Sequence, residues 1–248
     1  MTEITYKRNY LNEVIARIDF VSPIHKLNHE LPSKLSERAL KNFPILEPKQ
    51  GIAAEFQLSP KITEHKNIEF TEWNFYGKER EKRLVIYNNA VYMVYNVYPK
   101  YELFRNDFVE IIEVLFTEIP EVVANRLGLR YINNFEIPNG DPFKWDEYIN
   151  EYLISSLRFV QDKNLISRAF NNLEYNFEDF NLRFQFGMPN SDYPAPIRKK
   201  HFVLDYDAYH QGLQTMQEIP SNLDRYHTKI QSLFETGITD KLRGLLNA

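Results

Sequence analysis

The sequence predicts an α+β fold, a mainly antiparallel sheet with helices packed on one face. Three observations carry this. First, several stretches alternate with a period of two, as "NEVIARIDF" does in setting Val14, Ala16 and Ile18 against Ile15, Arg17 and Asp19. Second, "YELFRNDFVEIIEVLFTEIP" repeats Phe104, Phe108, Ile111, Ile112 and Leu115 at helical spacing until Pro120 ends the pattern. Third, 18 Phe and 16 Tyr against only 8 Gly favour β-structure and leave little for phosphate-cradling loops.

In chain order, residues 12–20 read as the first strand. "VSPIHKLNHELP" reads as a loop, and Ser33 or Ser36 caps a short helix through Phe43 that Pro44 stops. "GIAAEFQLSP" and "EFTEWNFYG" read as strands. In "KRLVIYNNAVYMVYNVYP", Asn88 and Asn89 sit between two β-rich runs and tolerate the positive φ of a two-residue hairpin. Val91, Met93 and Tyr95 fall on one face of that hairpin, and Tyr92, Val94 and Tyr98 on the other. The helix over 101–119 then lies on the sheet, and "RLGLRYINNFEIP" follows as a long strand. "PNGDP", Pro138 to Pro142, is the strongest punctuation in the chain and divides it into residues 1–138 and 139–248.

The second half predicts a helix from Trp145 to Val160, then a hairpin in which Phe180, Leu182, Phe184 and Phe186 alternate with polar residues. After the loop "MPNSDYPAPIRKK" comes the strand "HFVLDYDAYH". The last segment is helical, with Ser221 and Asp224 spaced as a capping box and Gly237 at a break between two helices. Two arrangements remain open: two similar meander-plus-helix halves, or one continuous antiparallel sheet with helices on one face.

A chain of 248 residues can bury a sizeable core, and one without cysteine has neither disulfides nor thiolate metal sites, as suits a reducing cytoplasm. The opening "MTEITYKRNYLNEV" lacks the apolar run of a signal peptide, and no segment reaches the roughly 18 uninterrupted apolar residues of a membrane span. The expectation is a soluble cytoplasmic protein. A net charge of -4 argues against broad nucleic-acid binding.

His25 and His29 share a metal-ligand spacing, but prolines place them in a loop, so no metal or other cofactor is expected. His227 shares a helical stripe with Leu223, Ile230 and Phe234 and reads as a core histidine bonded to a strand. No GxSxG elbow or P-loop is present, and no catalytic residue is assigned. Asp205 and Asp207 are two apart on a strand and share a face, which suits Mg²⁺ or, more plainly, a structural pair answering cations. Arg126 and Arg130 share one face with Gly128, whose missing side chain leaves room above the backbone. Arginines in a sheet interior demand a carboxylate or a bound anion. An internal network of Arg126, Arg130, Asp205 and Asp207, holding the halves in register, is favoured over an anion-binding cleft.

"RLGLRYIN", "FVLDYDAYH" and "LDRYHTKIQSLFETGITDKLRGLL", together with "LNEVIARIDF", resemble a sporadically distributed family of uncharacterised bacterial and archaeal proteins about this long. The likeness covers nearly the whole chain. The family tends to show prolines before its first strand, where "NYLNEV" has none. Its scattered occurrence implies horizontally moved genes, typical of phage-defence and toxin–antitoxin loci, and implies no reaction.

The reading that follows is a non-catalytic recognition or sensor protein that binds a protein or peptide partner. A homodimer is expected because edge strands rich in Tyr and Phe need cover. The rivals are a metal-dependent phosphodiesterase or nuclease using Asp205 and Asp207, with Arg130 steering phosphate, and a small-anion or nucleotide sensor using Arg126 and Arg130.

Overall fold

The structure, a computed structural model, describes residues 6, 7, 10–58, 63–138 and 140–247, with side chains for all of these except 53–58 and 63–68. Its strands and helices, in chain order, are β1 (Leu11–Phe20), α1 (Ser33–Asn42), β2 (Ile45–Leu58), β3 (Thr63–Tyr76), β4 (Lys82–Tyr87), β5 (Ala90–Tyr95), α2 (Tyr101–Glu118), β6 (Ala124–Glu136), α3 (Ser156–Phe159), β7 (Ala169–Phe177), β8 (Phe180–Met188), β9 (His201–Gln214), α4 (Glu218–Gly237) and α5 (Asp240–Asn247). Among the described residues the strands form one sheet in the order β2-β3-β4-β5-β1-β6-β9-β8-β7. Every neighbouring pair is antiparallel. The fold is α+β, as expected, and a single sheet runs through residues on both sides of 138 because β6 pairs with β9.

Alternation decides which face is covered. Val14, Ala16, Ile18 and Phe20 of β1, Leu127, Leu129, Tyr131 and Phe135 of β6, and Phe202, Leu204, Tyr206 and Ala208 of β9 are all buried in one core. The helices lie on that side. Phe104 and Phe108 of α2 and Leu223, Tyr226 and Ile230 of α4 face inward at the 3.6-residue spacing of an amphipathic helix. The residues between, at odd positions of β1 and β9 and even positions of β6, point to the other face. No described helix packs on it.

The hairpin at Asn88 and Asn89 forms, with Tyr87 opposite Ala90, but neither asparagine takes the positive φ expected of it. Gly187, at φ +147, is required for space as well as conformation, since a Cβ there would lie 2.0 Å from the Ala169 carbonyl oxygen on β7.

Four local expectations are corrected. The helix from Trp145 to Val160 is a run of turns that ends in the single-turn α3. Trp145 is buried as a core anchor, its Nε1 donating to the Pro142 carbonyl, while Ile149 bridges Ile238 and the Asn150 amide donates to Gly237. Asn150 also accepts from the Tyr152 amide through its side chain, a local bond that competes with a helix. Neither Ser33 nor Ser36 caps α1, whose N-cap is Pro32 with no side-chain bond. The helix α4 starts earlier than Ser221: the Glu218 carboxylate accepts from both the amide and hydroxyl of Thr215, and the Ser221 hydroxyl donates to the Glu218 carbonyl. Tyr98 lies beyond the end of β5 and turns to the helix side, where its ring sits 5.9 Å from Phe104. Of the punctuation at 138–142, Asn139 lies outside the described residues, as do parts of the opening segment and the end of "GIAAEFQLSP". No helix among the described residues is long and apolar enough to cross a membrane.

Phe104 is fully buried, with its ring 5.1 Å from Tyr95, at the point where α2 meets the sheet. Phe104→Ala should cost about 3–5 kcal/mol of unfolding free energy, read as a lower urea midpoint at an unchanged slope. Leu40→Ala on α1, at a side chain 36% exposed, should cost far less.

Candidate functional site

Four sequence-identified residues meet on the uncovered face. Arg130 lies opposite Asp207 in the β6/β9 register, yet it leans along the strand to the diagonal residue. Its Nε donates to Asp205 Oδ1 at 2.8 Å and its Nη2 to Oδ2 at 2.6 Å, a bidentate fork on a side chain only 10% exposed. This frees Asp207 for others. Arg183, directly opposite it on β8, donates at 3.1 Å, and Arg126 Nη2 stands 4.0 Å from its second oxygen.

Arg126 can lean this way because of Gly128. A Cβ at Gly128 would lie 3.1–3.4 Å from the Arg126 guanidinium, so the missing side chain is the space that guanidinium occupies. Arg126 also rests over the Tyr209 ring at 5.3 Å and reaches Asp19 Oδ2 at 3.4 Å. Asp19 is gripped in turn by Arg17, at 2.9 Å from Nε and 2.5 Å from Nη2. An alternating chain of charges, Arg17, Asp19, Arg126, Asp207 and Arg183, therefore crosses four adjacent strands. Burial pushes the Asp207 carboxyl above its ordinary range, and the pull of Arg126, Arg183 and Arg130 only partly offsets this.

Beside the chain, a concavity of about 260 Å³ opens over Gly128, with Ile15, Tyr92 and Val94 on its other wall. Tyr92 is the centre of a second cluster. Arg17 and Arg83 lie 5.9 and 5.7 Å from its ring, Tyr87 packs edge-on, and Arg83 Nη2 donates to its hydroxyl at 3.2 Å. Arg83 Nε and Nη2 also donate to the Asn74 amide oxygen, at 2.9 and 2.6 Å.

His227 lies on the covered side, away from this face. Its ring stacks on Tyr101 at 3.8 Å, and Nδ1 meets the Tyr131 hydroxyl of β6 at 3.0 Å. Nε2 is buried and has no hydrogen-bond partner among the described residues. Burial lowers the pKa to about 4 from an ordinary 6.5, and Asp224 only weakly opposes it, so the ring is neutral at pH 7. A cavity of about 90 Å³ beside His227 is also lined by Tyr98, Tyr131 and Asn133. That volume falls well short of the roughly 300 Å³ at which ligand pockets begin.

Spacing alone carried some of what the sequence reading left out. Arg17 and Asp19 are two apart on β1, the same signal that marked Asp205 and Asp207. Arg183 stands between Leu182 and Phe184 and was visible as a residue of the solvent face. The Tyr92 and Arg83 cluster had no signal beyond an aromatic run. Among the described residues no three His, Asp or Glu side chains converge as a metal site would need.

Arg130→Ala leaves Asp205 buried without its partner. Since the guanidinium is about a third exposed, the loss should be about 2–4 kcal/mol, below the full penalty for a buried pair. Arg130→Lys should recover only part of it, and thermal melts of both variants check the order. For His227 the unfolded chain takes up a proton near pH 6.5 that the folded ring refuses until about 4. Stability contributed by the neutral ring is therefore present above pH 6.5 and lost as pH falls toward 4, by on the order of 2–3 kcal/mol. His201, lowered in the same direction by burial, adds to that slope. His227→Gln should lower stability at pH 7 and flatten, without abolishing, the decline in urea midpoint between pH 6.5 and 4.

No protein-family model matches the chain, and no curated protein matches it.

Proposed function

We propose that this chain is a non-catalytic recognition protein that receives an acidic segment of a protein or peptide partner on the uncovered face of its sheet. The observation that carries this is the state of the carboxylates. Both oxygens of Asp205 are held by Arg130, while Asp207 is flanked by Arg183 and Arg126. A phosphodiesterase or nuclease would need those oxygens free to hold Mg²⁺. A phosphate or nucleotide sensor would need the Nε and Nη2 donors of Arg130, which are already spent.

The face remains suited to a broader contact. Nine strands spaced about 4.8 Å apart, each contributing about six residues of about 3.4 Å, present roughly 900 Å². A standard interface takes about 800 Å² per partner. Tyr and Arg, the residues that dominate binding energy at such interfaces, cluster at Tyr92, Tyr87, Arg17 and Arg83. Arg83 has only neutral hydrogen-bond acceptors, so a partner's carboxylate improves its situation. Placement in a phage-defence or toxin–antitoxin module is part of this proposal and rests on the family resemblance alone; a cytoplasmic location, also proposed, rests on the lack of cysteine.

The test is a charge reversal. Arg83→Glu takes both donors from the buried Asn74 amide oxygen and should lower the melting temperature, so binding is compared well below that midpoint, where the folded variant should lose the partner that the wild-type chain retains from its host. Tyr92→Ser should weaken the same complex. Retention of that partner by both variants would overturn the proposal, as would Mg²⁺-dependent phosphodiester cleavage that Asp207→Asn abolishes.

A further inference from the structure

The two ends of the sheet are guarded very differently. The β2 edge carries Glu47, Pro48 and Lys49, a proline that cannot donate a strand hydrogen bond and charges that disfavour a neighbouring strand. The β7 edge, "AFNNLEYNF", has no proline, lysine or glycine and a single charge, Glu174. Among the described residues β7 pairs only with β8, so the outward row of its amides and carbonyls has no strand beside it. None of its residues is buried, and Phe170 is 40% and Leu173 44% exposed. Leu173 lies on the helix-bearing side, opposite the buried Phe184 of β8, yet no described helix covers it from solvent. Asn171 on the same side meets Ser156 of α3 at 3.5 Å, and α3 carries Phe159, which is 91% exposed.

We infer that a second copy of this chain attaches at β7, edge to edge and antiparallel, and continues the sheet across a two-fold axis at Leu173. The register argues for self-pairing. Leu173 is the midpoint of Ala169–Phe177, so a two-fold axis there pairs the strand along its whole length. On the helix side it sets Leu173 against Leu173 of the partner subunit and Asn171 against Tyr175 of the partner subunit. On the open side Asn172 faces Glu174 of the partner subunit, so an amide meets the one carboxylate. Moving the axis by one residue to Glu174 would put two carboxylates face to face, which antiparallel pairs disfavour. Moving it to Asn172 would leave Phe177 without a partner. The pairing satisfies the open backbone edge and covers Leu173, and it does not depend on what docks around Tyr92.

Sedimentation equilibrium of the full chain at micromolar concentration should give a dimer that dissociates on dilution. Leu173→Lys sets two ammonium groups on the axis and Asn172→Glu opposes two carboxylates twice, so both should sediment as monomers with melting temperatures no higher than the wild-type value. Lys49→Glu on the other edge should leave the dimer intact. The chain has no cysteine, so Leu173→Cys gives an unambiguous reporter: it should cross-link to itself on mild oxidation, and Asn176→Cys should not. A wild-type monomer would overturn the inference, and so would a dimer that survives Leu173→Lys and fails to cross-link at 173. Recovery of the wild-type chain only in a heterocomplex broken by Leu173→Lys would assign the edge to a foreign strand and overturn self-pairing.

Discussion

The rest of the structure depends on the seam between β6 and β9, where Arg130 grips Asp205. β6 joins β1 and the strands beyond it to the second half of the chain, and β9 joins β8 and β7. If that seam opens, two partial sheets remain, each with a bare edge. Backbone bonds and the buried rows Leu127, Leu129, Tyr131 and Phe202, Leu204, Tyr206 supply most of the adhesion. They do so on the covered face. On the uncovered face the seam is held by charge, and the geometry there follows from one lean: Arg130 passes over its direct neighbour to reach Asp205, and Arg126 makes a parallel lean across the bare backbone of Gly128.

Much of this was legible in the sequence because strand and helix periods survive folding. The face of each residue in β1, β6 and β9 follows from parity, so Arg126, Gly128 and Arg130 were visible as one row, and Asp205 and Asp207 as another. What local pattern does not encode is strand order. β1 enters the sheet between β5 and β6, which brings Arg17 and Asp19 beside Arg126, and the sequence offers no period for that. The failure at Trp145–Val160 has a different origin. Its apolar spacing is compatible with a helix, but Asn150 and the Ile149 bridge to Ile238 hold the segment to the α4–α5 break, so tertiary bonds outweigh a weak local preference. Likewise Ser221 and Asp224 match a capping box, but Glu218, three residues upstream, already accepts from Thr215 and starts the helix there.

The two faces of the sheet solve opposite problems. The covered face removes apolar area from water, and its one strongly shifted histidine is accommodated by losing its charge. The uncovered face keeps its charges and neutralises them laterally: Arg126, Arg130 and Arg183 each serve a carboxylate on an adjacent strand, and Arg17 serves Asp19 on its own strand. A face built this way is stable while exposed, because few of its groups wait for a ligand. Arg83 departs from that rule: its acceptors are an amide oxygen and a phenol, and it stands in the densest aromatic cluster of the face.

Lateral neutralisation also settles a register that hydrophobicity alone leaves open. A slip of β9 against β6 by one residue is forbidden, because it would turn Phe202, Leu204, Tyr206 and Ala208 outward. A slip by two keeps every one of them on the core side and changes only which apolar residue meets which, so packing resists it weakly. The charges do not tolerate it. Moved two residues one way, Asp205 would take the place of Asp207 opposite Arg130, and Val203 would stand where Asp205 accepts the fork. Moved the other way, Tyr209 would face Arg130, Asp207 would occupy the site of Asp205, and Asp205 would shift to the place of Val203, opposite Asn134 and with no arginine across from it. In either slipped state a buried charge loses its partner, at a cost that typically reaches several kcal/mol. The ion network adds little to the strength of the native seam over an apolar alternative; its contribution is that it makes the neighbouring registers expensive.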